Sequence, residues 1–484
     1  MKPVSDCIKE GNTMKAHKGY AVMIAAVASL GGILFGYDTA VIAGSIGFIE
    51  QHFGLSPALV GWAVSSALLG CLIGAMTAGR TADAIGRKKT LIISAVLFAV
   101  SAVFSAIPPN FAIFILARIV GGIGIGFASI VVPMYISEIS PPSIRGVLTS
   151  FYQVAITLGI LIIYIVNYYI STLGDESWGV DVGWRYMLGS EVLPALLFFL
   201  LLWAIPESPR WSALKGDRSR SLGVLSKITG SRKEAEGQLA EIEQSIQEER
   251  KAEEGKLLEK AWRPAIFVGI GLAILQQVSG INVIMYYATE ILNDFRIGSG
   301  ENAGFFQSML IGVVNFLSTF IAVMTIDKFG RKSLLVAGSV GMAVFMTTVG
   351  VMIYMQAINV GLLLSIFGYI VCFAFSWGPI AWILISEIFP NRIRGKVMSL
   401  CIFVLWLSNI VVSQTFPMLN ENTFLQQQFN GAFPFIVYGI FCLLCIPFAM
   451  KFVPETKHKT LEEIERLWSK RGTDWTVKTT ATRK

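Results

Sequence analysis

Three short motifs recur in the same order about 245 residues apart, and this duplication constrains the fold more than any other feature of the chain. D-A-I-G-R-K at Asp83 returns as D-K-F-G-R-K at Asp327. S-E-I-S-P-P-S-I-R-G at Ser137 returns as S-E-I-F-P-N-R-I-R-G at Ser386, and P-E-S at Pro206 as P-E-T at Pro454. The chain therefore reads as two halves of one ancestral unit. Internal repeats of this kind build secondary transporters, whose binding site lies between the repeats.

Each half carries six apolar runs of bilayer-spanning length, for which about 20 residues suffice. With 54% hydrophobic and 15% charged residues and a mean hydropathy of +0.63, a soluble fold would expose large sticky patches. The expected fold is an all-α membrane protein of twelve transmembrane helices in two six-helix halves. The divisions are a tail over 1–19, a first half over 20–205, a helical linker over 206–263, a second half over 264–453 and a tail over 454–484. In the linker, Leu239, Ile242 and Ile246 fall at helical spacing among Glu, Lys and Gln, as in an amphipathic helix. Such helices are expected as a pad below both halves.

Of the 39 Lys and Arg residues, all but Arg118, Arg185 and Arg296 fall in the tails, the linker and alternate short loops. The positive-inside rule then puts both termini in the cytoplasm, in the inner membrane if the cell is Gram-negative. The net charge of +7 is thus a record of topology and no sign of nucleic-acid binding. The first apolar run is too long for a signal-peptide core. Cys71, Cys372, Cys401, Cys442 and Cys445 read as small apolar helix residues. His17, His52 and His458 all fall outside the expected spans, which excludes a histidine proton relay in the membrane.

The repeated loops pair opposite charges at helix ends. Asp83 and Arg87 follow span 2, and Glu138 and Arg145 follow span 4. Asp327 with Arg331 and Glu387 with Arg394 are their counterparts. They are expected to form a conformational latch on the inner side.

Three charges lie inside apolar runs: Asp38, Arg118 and Glu191. Each costs about 2.5–3.5 kcal/mol at a helix centre on insertion scales, so each calls for a partner or a function. Counted from the apparent span ends, all three fall in the same outer third. One guanidinium between two carboxylates leaves an excess negative charge that favours holding a proton. Asp38 is expected to carry that proton, Arg118 to pair with it when ionised, and Glu191 to bias the switch.

A sugar needs amides that both donate and accept, with aromatic faces beside them. Span 7 supplies Gln276, Gln277 and Asn282 around Ser279-Gly280, an expected helix break that turns both faces inward. Tyr286 follows, able to close over a ligand. Span 5 presents Gln153, Thr157, Ile160 and Tyr164 on one face. Asn315, Gly378, Trp382, Trp406 and Phe35 complete the candidates.

With these motifs in hand, the chain resembles the sugar porters of the major facilitator superfamily over nearly its whole length. The likeness rests on the paired D-x-x-G-R-K loops, Arg118-x-x-x-Gly122, P-E-S-P-R-W at 206–211, Q-Q-x-S-G-x-N-x-x-x-Y-Y at 276–287 and P-E-T-K at 454–457. F-G-Y-D-T-A-V-I at 35–42, G-W-R-Y-M at 183–187 and S-W-G-P at 376–379 are similar to the bacterial proton-coupled D-xylose symporters. The resemblance implies a proton-coupled monosaccharide symporter working by alternating access, a monomer in the lipid bilayer, with the proton as coupling ion and no cofactor or metal. It also implies Asp at position 38 for proton coupling, where facilitative carriers have Asn. Ile160 and Leu405 depart from the xylose pattern, where amides stand. The sugar therefore stays open between a pentose such as xylose or arabinose and a hexose such as glucose or galactose. A facilitative uniporter is the alternative that Asp38 opposes. A membrane sugar sensor is the alternative that the short final tail opposes. No nucleophile constellation or nucleotide loop suggests an enzyme.

Overall fold

A computed structural model describes residues 4–141, 143–251, 262–294, 302–389, 394–457 and 468. Side chains of 4–18, 249–251, 294, 327 and 394 lie outside that description.

Twelve helices are long and apolar enough to cross a membrane. Spans 1 to 6 are Gly19–Phe53, Pro57–Ile85, Arg87–Ala106, Phe111–Ile139, Arg145–Ser171 and Glu176–Leu202. Spans 7 to 12 are Arg263–Tyr286, Ala303–Ile326, Arg331–Tyr354, Val360–Glu387, Gly395–Asn420 and Phe433–Lys451. Span 1 continues past Ile42 to Phe53, because helix geometry persists where Glu50, Gln51 and His52 end the apolar run. Asp38 therefore lies near the middle of a long helix, and its expected place in the outer third is corrected. His52 falls inside this helix, at the end remote from the repeated motifs, so the expected exclusion of histidines from the spans is corrected there. Span 6 likewise starts earlier than its apolar run, with a π-turn over Gly179–Gly183.

Small residues set the helix packing. Gly70, Gly74, Gly122 and Gly126 bring spans 2 and 4 into backbone contact; a β-carbon on any of them would strike the opposing main chain. Gly36 and Gly159 do the same for spans 1 and 5.

Spans 7 and 10 are broken near their middles. Span 7 stops at Val278 and restarts at Ile281, with Gly280 at φ +91° between them. Only glycine takes that conformation readily, and a β-carbon would also meet the Tyr438 ring at 2.6 Å. Span 10 breaks at Ser376, between Val360–Phe375 and Trp377–Glu387.

The linker forms helices over Pro209–Leu214, Arg218–Thr229 and Arg232–Lys251. Leu225, Ala235 and Leu239 make their own small core, with Ala213, Leu222 and Ile242 against it. Asp217 caps Arg218–Thr229, and its bonds from the Arg220 N–H and the Ser219 hydroxyl pull its carboxyl below the usual range. The pad seats on the first half: Trp211 Nε1 donates to the Asp83 carbonyl at 3.1 Å, and Arg218–Thr229 packs on the first helix.

Between described residues, the hydrogen bonds that join the halves all lie away from the repeated loops. Gln414 Nε2 donates to the Ala58 carbonyl at 2.8 Å, and Gln414 Oε1 accepts from Ser65 at 2.7 Å. Tyr164 donates to the Met285 carbonyl at 2.6 Å. Phe48 against Phe305 and Tyr168 against Phe306 extend the contact. The molecule is closed at the face remote from the motifs.

Candidate functional site

The break in span 7 puts the amides to work. Gln277 Oε1 accepts from Asn282 Nδ2, so two residues five apart meet across the gap that Gly280 opens. Gln277 Nε2 donates to Gln276 Oε1 at 3.3 Å. Gln276 Nε2 donates to the Trp377 and Gly378 carbonyls, both at 3.0 Å. Each helix break thus exposes polar backbone or side-chain groups toward the other. Gly378 enters through its carbonyl, which the sequence did not signal.

Around this pair, Trp382 and Gln153 are half-buried, and Gln153 has no side-chain hydrogen bond between described residues. Trp406 is buried with its indole N–H unpartnered, its ring 6.2 Å from that of Phe35. Asn315 is buried and no described residue bonds its amide. Tyr286 accepts from Asn409 Nδ2 at 3.2 Å, and Asn409 Oδ1 accepts from Ser413 at 3.1 Å. Thr157, Ile160 and Leu405 are buried, so the two departures from the amide pattern present apolar surface. Donors and acceptors beside indole and phenyl faces can grip a polyhydroxylated ring. Sequence reasoning missed the role of Tyr164, whose bond to Met285 closes the remote side above these groups.

The intramembrane charges converge as expected. Arg118 Nη1 bonds Asp38 Oδ1, and Nη2 donates to the Asp38 carbonyl at 3.3 Å. Both residues, like Glu191, are at most 2% exposed. Glu191 sits where span 6 interrupts between Gly189 and Val192, and its Oε1 has no hydrogen-bond partner. It makes no ion pair with Arg118: the guanidinium bonds Asp38 through Nη1 and Nη2, while its Nε, like Glu191 Oε1, has no partner. Next door, Tyr37 and Ser190 share a 2.8 Å hydrogen bond that ties span 1 to span 6. A void of about 10 Å³, room for about one water, is lined by Thr39 and Arg118 from the first half and Tyr286 from the second.

The repeated loops form matched charge clusters, each within its own half. Arg87 bonds Glu138 through Nε and Nη2 at 3.1 Å and Asp83 through Nη1 at 2.9 Å. Arg331 reaches Glu387 at 3.4 Å. The side chains of Asp327 and Arg394 lie outside the described residues. Arg145 departs from expectation: it is exposed, and no described residue pairs with it. The face on which it sits is the one where the halves share no hydrogen bonds between described residues.

The P-E-S and P-E-T residues proved integral to these clusters, which the sequence had not revealed. Glu207 Oε1 accepts the backbone N–H groups of Arg87 at 2.9 Å and Lys88 at 3.1 Å. Glu455 takes those of Arg331 at 3.0 Å and Lys332 at 3.1 Å. A carboxylate on the first turn of a helix satisfies orphan donors and the positive dipole end together. Ser208 bonds Glu138 and Thr456 bonds Glu387, the latter at 2.6 Å, completing each unit.

Comparisons with known proteins agree with this geometry. The family model described as Sugar (and other) transporter matches residues 24–468. The chain is 43% identical to the D-xylose-proton symporter of Escherichia coli, covering 93% of this chain and 96% of that one. It is 41% identical to the arabinose-proton symporter of Bacillus subtilis over 93% and 96%. With the galactose-proton symporter of E. coli it shares 36% over 95% and 96%. Among solved structures, the inward open conformation of the E. coli xylose transporter superposes at a TM-score of 0.82, with 43% identity over 93% of this chain and 100% of that chain. The proton:xylose symporter of the major facilitator superfamily bound to 6-bromo-6-deoxy-D-glucose gives 0.79 at the same identity over 93% and 99%.

Proposed function

The chain belongs to the sugar (and other) transporter family, and from that premise we infer that it is a proton-coupled monosaccharide symporter. The observation that carries the coupling is the buried Asp38–Arg118 pair in one half, sharing a void with Tyr286 of the sugar-facing half. It imports a pentose or hexose by alternating access, with no cofactor, as a monomer with both termini in the cytoplasm.

The sugar lies between the halves. Gln276, Gln277 and Asn282 hydrogen-bond its hydroxyls, while Gln153 and Asn315 offer further amides. Trp382, Trp406 and Phe35 cover its apolar faces, and Gly378 and Tyr286 frame it. Hydroxyls that bind replace the mutual bonds of these amides, so a sugar is recognised without leaving polar groups unpaired.

The coupling is electrostatic. Ionised Asp38 holds Arg118; protonated Asp38 releases it, and the freed guanidinium faces the void it shares with Tyr286. Proton binding is thereby tied to the element that closes above the sugar. Glu191 adds negative potential that favours protonation. On the inner rim, Asp83, Arg87, Glu138 and Arg145, with Asp327, Arg331, Glu387 and Arg394, form the latch; the halves part between its two clusters when the outer contacts close.

Purified protein in liposomes tests this. Asp38→Asn is expected to retain counterflow of labelled sugar within about threefold and to lose accumulation driven by a pH gradient. Undiminished accumulation would refute Asp38 as the proton carrier. Counterflow of xylose, arabinose, glucose and galactose, with pH recorded, identifies the sugar; uptake without proton movement points to a uniporter.

A further inference from the structure

Span 3 carries a buried polar stripe that neither the sugar nor the ion pair uses. Ser94, Ser101 and Ser105 are all buried. Ser94 donates to the Gly124 carbonyl at 2.7 Å. Ser101 and Ser105, one helical turn apart, have no hydrogen-bond partner. Buried hydroxyls are almost always satisfied by protein or by ordered water.

These orphans do not stand alone. Asp38 Oδ2, Arg118 Nε and Glu191 Oε1 are buried and unpartnered in the same half. Geometry joins Ser101 to Asp38. A β-carbon on Gly121 of span 4 would lie 3.1 Å from Asp38 Oδ2 and would clash with Ser101 Oγ. A β-carbon there would touch both oxygens, so Ser101 Oγ and Asp38 Oδ2 lie no more than two hydrogen-bond lengths apart beside the Cα of Gly121. A separation within that limit suits a single bridging water, and both oxygens are buried polar groups without another partner, as a stable buried water requires.

The duplication supplies an internal comparison. Counted from the D-x-x-G-R-K loops, the residues of span 9 that correspond to Ser101 and Ser105 are Phe345 and Val349. Hydroxyls occupy these positions only in the half that holds Asp38.

We propose that Ser101 is a positioning residue for the proton step: with Ser105 it holds bound water against Asp38 Oδ2, opposite the oxygen that faces Arg118. A proton that reaches this water passes to Oδ2. Asp38 becomes neutral, the water keeps its two remaining O–H bonds, and Arg118 loses its anionic partner. Release reverses each transfer. Asp38 can thus take up its proton at Oδ2 before its Oδ1 leaves the guanidinium. The proposal rests on the symport reading, and wild-type protein separates the two. Absence of pH-driven accumulation in the wild type would end the symport reading and this proposal with it.

Given wild-type accumulation, Ser101→Ala and Ser101→Thr are compared in the full chain in proteoliposomes. Without the hydroxyl, the water is held less well and ionised Asp38 loses a donor, which favours the protonated form. For Ser101→Ala, pH-driven uptake is expected to fall about tenfold, with its pH midpoint moved up by about one unit. Sugar counterflow should fall less than twofold. Ser101→Thr keeps the hydroxyl and should restore both the rate and the pH profile. A Ser101→Ala protein with wild-type uptake and pH profile overturns the proposal. So does an equal loss of uptake and counterflow in both variants, which would mark a packing role.

Discussion

Gly86 and Gly330 each sit at positive φ, 105° and 87°, with a carboxylate lodged against the Cα. The glycine of D-x-x-G-R-K is therefore required twice over: by the turn itself, and by the approach of Glu207 or Glu455 to the N–H groups beyond it. Gly86→Ala is expected to cost about 1–3 kcal/mol from backbone strain, with displacement of Glu207 in addition. Glu207→Ala leaves three main-chain donors, those of Arg87, Lys88 and Ser208, without their shared acceptor. Hydrogen bonds to a charged group contribute about 1.5–3 kcal/mol each, so thermal midpoints in detergent should drop by several degrees for either variant. A midpoint equal to wild type would show that the carboxylate is not structural. These motifs were visible as repeats, and the Arg87–Glu138 pairing was expected from opposite charges on neighbouring loops. The part of Glu207 was not visible, because its partner lies 120 residues away and charge alone does not specify a backbone N–H.

At the scale of the helix, apolar runs located all twelve spans but misjudged several of their limits, most of all in spans 1 and 6. Span 1 outlasts its hydropathy because backbone hydrogen bonding does not stop where Glu50, Gln51 and His52 begin. Span 6 gains its first turns through a π-turn over residues that read as loop. Breaks were legible only where composition marks them. Ser279-Gly280 advertised the one in span 7. In span 10, Gly378-Pro379 drew attention, yet the chain breaks at Ser376, and Pro379 falls inside the first turn of the next helix, where a proline costs least. The Gln277–Asn282 pair depends on the span 7 break. Gly280→Ala forces a β-carbon toward Tyr438 and disfavours φ +91°. Sugar affinity measured by calorimetry is expected to weaken at least about tenfold, since the amides would no longer converge. Unchanged affinity would show that the break does not build the site.

Across the whole molecule, the duplication reads as symmetry at the loops and as division of labour within the membrane. Between described residues the charge clusters match, down to Ser208 and Thr456 on equivalent glutamates. The buried ion pair has no such twin among the described residues, and the Gln276–Gln277–Asn282 group belongs to the second half. The contacts that join the halves between described residues were not legible at all, because they pair residues more than 100 positions apart with no recurring pattern. Gln414 illustrates this: a lone amide near the end of span 11, it makes two hydrogen bonds to span 2, through Ser65 and Ala58. Those bonds exist only while the face remote from the motifs is closed. A typical hydrogen bond contributes about 0.5–1.5 kcal/mol net, so losing both destabilises the closed arrangement by about 1–3 kcal/mol. A two-state equilibrium then moves by about 5- to 150-fold toward opening on that side. Tyr164→Phe, which deletes the bond to Met285 and nothing else, should move it in the same direction by a smaller factor. Spin labels placed at the ends of spans 2 and 11 remote from the motifs would report the shift as a longer distance population in Gln414→Ala. An unchanged distance distribution would mean that apolar contacts such as Phe48–Phe305 hold the closure by themselves. With the shift, the transport cycle should show a matching trade: faster loading from the opened side, and slower release on the other, because the closed state that release requires has become the minor one.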